Sequence, residues 1–141
     1  MVTIFNDITQ NLVPLNWMNQ SDFSHHPQLT QNLKSWLCET ALLTTRLKQY
    51  AQTFQLKVLK ETYGQQSSLL SDLPITDNNY IREIIMLSDN EPCILGQTTI
   101  PEETFKHNGW LANLGTKGLG EAMANLPNVS RSAFNFSFCV S

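Results

Sequence analysis

Two apolar, β-rich runs, Tyr80 to Leu87 and Cys93 to Ile100, are joined by Ser88-Asp89-Asn90-Glu91-Pro92. This arrangement predicts an antiparallel hairpin, since Asp and Asn accept turn conformations and Pro cannot extend a ladder. Strands so apolar need cover, which makes the fold class α+β: a single domain built on an antiparallel sheet with helices laid against it. One residue does not fit. Alternation from Tyr80 puts Arg82, Ile84 and Met86 on one face and Ile81, Glu83 and Ile85 on the other. A charge therefore points at the core whichever face is covered. A guanidinium is rarely buried without a partner. Arg82 either reaches solvent from the strand start, pairs with a carboxylate of the protein, or is the fixed cation of an apolar pocket for a small aromatic carboxylate.

The flanking elements read from periodicity. Leu29, Leu33, Trp36 and Leu37 recur at helical spacing, and Leu42, Leu43, Leu47 and Tyr50 continue the pattern after a break near residue 40. Phe54 to Tyr63 reads as a strand ended at Gly64, followed by a polar loop over 65–78. Pro101-Glu102-Glu103 starts a helix, with acids at the positive end of its dipole. A helix pair spans 107–126, interrupted by Gly115, Gly118 and Gly120. Residues 1–26 read as irregular, and Ala133 to Val140, with Phe134, Phe136 and Phe138 alternating, as a last strand.

Composition excludes several functions. At 141 residues the chain suits one domain, residues 1–141, and a net charge of −3 without a basic block offers no footprint for nucleic acid. No run of eighteen apolar residues crosses a membrane. Cys38, Cys93 and Cys139 form no CxxC pair, and the N-terminus lacks the pattern of a secretory signal. Both point to reduced thiols and a cytoplasmic location. His25-His26 lacks further ligands at metal spacing, so no metal is expected. Gly115-Thr-Lys-Gly-Leu-Gly120 lacks the phosphate-loop pattern and reads as a helix cap and flexible turn with exposed backbone N–H groups.

Three blocks carry a resemblance. Arg82-Glu83-Ile84, Glu91-Pro92, Gly96 and the closing Thr98-Thr-Ile-Pro101 resemble the hairpin of the bacterial chorismate pyruvate-lyases. Trp36-Leu37 followed by Leu43-Thr44-Thr45-Arg46-Leu47 is similar to a helix of that family. Leu114-Gly115 through Leu119-Gly120 is similar to its lid. The three stand in the right order over roughly residues 28–134.

The resemblance implies a cofactor-independent lyase converting chorismate to 4-hydroxybenzoate and pyruvate, the first step of ubiquinone synthesis. It implies an internal ligand cavity beneath two helical flaps, with Arg82 and backbone amides on the ring carboxylate. On the same resemblance, the flap positions expected to meet substrate fall on Leu43 and Leu119. The partners are small molecules only, and the protein is expected to be a monomer with a C-terminal edge able to self-associate. The family also places a glutamate on a closing strand to meet the ring hydroxyl, whereas no acidic residue follows Glu121 here. The alternative is a relative that binds an aromatic carboxylate without eliminating from it.

Overall fold

A computed structural model describes residues 13–14, 16–65 and 78–140. The expected architecture is α+β on an antiparallel sheet, and that is what the described residues form. Most of the loop expected over 65–78 and the first twelve residues lie outside them. Two compact units are present, one from residues up to Leu43 and from Asn128 onward, the other Thr44–Pro127.

The first unit holds β1 (Val13–Pro14), α1 (Gln20–Ser24), α2 (Gln31–Leu37) and β5 (Cys139–Val140), whose partner is β1. The remaining elements, in chain order, are α3 (Leu43–Tyr50), β2 (Phe54–Gly64), β3 (Asn79–Ser88), β4 (Glu91–Ile100), α4 (Glu102–His107) and α5 (Leu119–Met123). α1 is not among the expected elements. Asn19 caps it by accepting from the Asp22 amide at 2.9 Å, so one side chain starts a helix too short for a periodic signal. Thr30 caps α2 in the same way through the Leu33 amide. The phenylalanine run at the C-terminus is less of a strand than its alternation suggests. Phe136 exchanges two backbone hydrogen bonds with Met18, at 2.7 and 2.8 Å, and among the described residues only Cys139–Val140 pairs further. Ring packing takes over from the ladder there. Phe136 stacks on buried Phe23 at 4.4 Å, and Phe138 lies between Phe23 and His26.

The second unit is organised by a three-stranded sheet of order β2-β3-β4. The hairpin is as expected, with a tight turn at Asp89 and Asn90, whose φ angles of 50° and 68° are both left-handed. Thr53 and Asp89 lock the turn to the start of β2 through two bonds at 2.7 and 2.8 Å. Pro92 is inside β4 rather than ahead of it. An edge strand tolerates it, beside an irregularity between Met86 and Leu87. β3 is central, and both its faces are covered. Tyr80, Ile81, Arg82, Ile85, Met86 and Leu87 are all buried. Gly96 lies opposite Ile84, where a Cβ would come within 3.1 Å of the isoleucine side chain. Pro101 precedes α4 as its N-cap, and a 3₁₀ turn over Gly109–Asn113 brings Leu111 and Leu114 onto Tyr80 and Ile100.

Candidate functional site

The site is centred on Arg82, whose position follows from strand register. β2 and β3 run in register as far as Val58 opposite Ile84. After one extra residue, Leu59, Lys60 lies opposite Glu83 and Glu61 opposite Arg82. An unbroken ladder would have set Lys60 against Arg82, cation against cation. The bulge instead turns a carboxylate onto the arginine's face. It is a local irregularity with an electrostatic result.

Arg82 is 3 % exposed, and its guanidinium donates three hydrogen bonds. Nη1 donates to Glu61 Oε1 at 2.8 Å. Nη2 donates to the carbonyls of Gly115 at 2.7 Å and Lys117 at 3.1 Å. Glu61 itself keeps 37 % of its side chain exposed, so one end of the pair is dry and the other meets water. The partners of Arg82 are thus a carboxylate of the protein and two carbonyls of the glycine-containing loop. Arg82 does not reach solvent from the strand start.

Gly115 makes the loop contact possible. Its φ of +56° is the left-handed conformation that a residue with a Cβ adopts only with strain. The turn closes through the Lys117 amide on the Leu114 carbonyl at 3.0 Å. The sequence predicts a flexible turn with exposed backbone N–H groups here and is silent on its carbonyls, two of which carry the contact to the arginine.

Tyr80 lies one alternation before Arg82 on the same strand face. It is 5 % exposed and stacks on Phe105 at 4.3 Å, with Tyr63 edge-on at 5.8 Å. Burial pushes its phenol up to about 12, helped by the hydrogen bond and the negative charge of Glu61 and opposed by Arg82. The hydroxyl therefore stays protonated and donates toward Glu61. Tyr80, Glu61 and Arg82 form one polar string between an aromatic cluster and the glycine loop.

Of the residues singled out in the sequence, Leu119 opens α5 and packs, half-buried, against the Tyr80, Ile100, Leu111 and Leu114 cluster. Leu43 opens α3. Thr44, the next residue, is buried, and its Oγ1 lies 3.4 Å from where a Cβ on Gly118 would sit. Lys48 and Glu121 tie α3 to α5 at 3.3 Å. The helix and loop of the two expected flaps therefore touch each other. Glu61 and the carbonyls of Gly115 and Lys117 escaped sequence reasoning. The first depends on a bulge, and the others leave no side-chain signal. Among the described residues no cluster of metal-ligating side chains forms. His25 Nδ1 lies 2.7 Å from the Ser21 carbonyl, and His26 packs on Phe138.

The fold and site define an α+β protein whose central strand carries a buried arginine beneath a glycine loop. The family model for chorismate lyase matches residues 11–139. A Bartonella henselae protein named "Probable chorismate pyruvate-lyase" is 32% identical over 124 residues, covering 85% of this chain and 70% of that protein. A Yersinia enterocolitica protein named "Chorismate pyruvate-lyase" is 31% identical over 109 residues, 74% of this chain and 65% of its own. The chain belongs to the chorismate lyase family.

Proposed function

We propose that the chain is a chorismate pyruvate-lyase, releasing 4-hydroxybenzoate and pyruvate from chorismate and so feeding ubiquinone synthesis. The observation that carries this reading is the family match over residues 11–139, reinforced by relatives named for that activity. Arg82 is the residue we assign to the ring carboxylate, with Leu43 and Leu119 as the flap positions at the substrate. What supports the assignment is a guanidinium fixed in a dry setting, beside the aromatic cluster of Tyr80, Phe105 and Tyr63.

The reaction asks little of side chains. Chorismate loses the hydrogen at C4 and breaks the ether bond at C3, which makes the ring aromatic. The methylene carbon of the departing enolpyruvyl group takes that hydrogen and becomes the methyl group of pyruvate. No external base, oxidant or cofactor enters the balance. Holding the side chain over C4 is then the main task, and well-oriented intramolecular reactions gain roughly 7–11 kcal/mol from such positioning.

We further read the protein as a monomer acting on small molecules in the cytoplasm. Cys38 and Cys93 are free thiols, and among the described residues no helix is long and apolar enough to cross a membrane. Mixing the protein with chorismate and measuring 4-hydroxybenzoate and pyruvate tests the function directly. Equal molar yields of the two support it, and unchanged chorismate removes it. Ligand titration in the second case would separate a binding-only relative from an inert one.

A further inference from the structure

We infer that Glu61 is a built-in competitor for Arg82, a carboxylate that an incoming aromatic carboxylate must displace or crowd, and so a residue that sets ligand affinity. This rests on the assignment of Arg82 to the ring carboxylate.

A guanidinium has five N–H groups: one on Nε, two on Nη1 and two on Nη2. Nη2 donates to both the Gly115 and Lys117 carbonyls, which accounts for its two hydrogens. Those two bonds already fix the plane of the guanidinium, so Glu61 is not needed to orient it. The donors left are those of Nη1 and Nε; Nη1 is where Glu61 binds at 2.8 Å, and the Tyr80 hydroxyl is a further neighbour of the same cation. A ligand carboxylate reaching Nη1 contends with Glu61 for the same hydrogens. One reaching Nε or loosening the loop carbonyls still approaches a like charge within a few ångströms, because Glu61 remains on the same cation.

The two partners of Arg82 also differ in how easily they leave. The carbonyls belong to a backbone turn held by Gly115 and by the Lys117–Leu114 bond. Glu61 is a side chain more than a third exposed, on an edge strand, and it can rotate into water. Tyr80 is its other hydrogen-bonding neighbour, an anchor from within the protein. The protein thus neutralises its buried cation with a group that is displaceable by design of the strand register.

The test is titration of 4-hydroxybenzoate into wild type, Glu61→Gln, Glu61→Thr and Arg82→Ala, each with a melting curve with and without ligand. Removing the competing charge should tighten binding on the order of tenfold, since a charged hydrogen bond no longer has to be given up. The ligand-induced rise in melting temperature should grow in the same two variants. Threonine suits an edge strand, so Glu61→Thr serves if the glutamine variant does not fold. Equal or weaker binding in both, or failure of both to fold, overturns the inference. If Arg82→Ala meanwhile loses binding, the assignment of Arg82 stands alone. Binding that is unchanged in Arg82→Ala, or absent in every variant including wild type, removes that assignment and the inference together.

Discussion

Glu61 and Arg82 face each other across β2 and β3, joined by a 2.8 Å hydrogen bond that exists because Leu59 interrupts the ladder. A regular register would have paired Arg82 with Lys60. The pair shows how one inserted residue converts a repulsive neighbour into an attractive one. It also gives a buried guanidinium the partner its burial demands.

Adjacent substitutions on β2 should therefore behave very differently. Glu61→Ala leaves Arg82 with the two loop carbonyls and the Tyr80 hydroxyl but no carboxylate, and should cost about 1–3 kcal/mol, reduced by the exposure of the glutamate. Lys60→Ala, at an exposed position, should stay within about 0.5 kcal/mol of wild type. Urea unfolding of the two variants reads the register. A gain in stability for Lys60→Ala, with little change for Glu61→Ala, would place the lysine, not the glutamate, against the arginine.

Tyr80 makes a prediction at high pH. Its phenol is raised from 10.0 to about 12, by burial first and then by Glu61. A raised acid favours the folded state while protonated. That stability is fully present below about pH 10 and is lost as pH climbs toward 12. Replacing Tyr80 with Phe should flatten this loss by up to about 2–3 kcal/mol relative to wild type. Melting curves from pH 8 upward on both proteins give the comparison. Parallel curves would mean that the phenol titrates as it does in the unfolded chain.

Much of this is legible in the sequence alone. The hairpin, the strand ending at Gly64 and the split helix over 28–52 declare themselves through local periodicity and turn chemistry, and all three are present. Arg82 was recognisable as the odd residue in its strand. Its partner was not, because β2 and β3 are joined by no short turn that would set a register, and the bulge shifts it again. α1 is too short for periodicity and depends on the Asn19 cap. Phe134, Phe136 and Phe138 alternate like a strand, yet Phe136 and Phe138 serve ring packing on Phe23 more than pairing.

Gly115 links the loop to the arginine. Gly115→Ala should destabilise the protein by about 1–2 kcal/mol through its left-handed backbone. It should also weaken 4-hydroxybenzoate binding, because the carbonyl at 115 would shift on Arg82. Hydrogen exchange gives the dynamic counterpart. Saturating ligand should slow amides over 39–52 and 111–121 more than those of the 80–100 hairpin. Unaltered exchange in both segments would make them ordinary surface helices.

The most direct measurement compares wild type with Arg82→Ala and Arg82→Lys, following 4-hydroxybenzoate formation from chorismate and titrating the product into each. Wild type should turn over chorismate. Arg82→Ala should lose turnover by about a hundredfold or more, as a charge-assisted contact to the reacting ring disappears. Arg82→Lys should recover part of it, since an ammonium lacks the planar fork. Turnover and product affinity that are the same in wild type and Arg82→Ala would contradict the account at its centre.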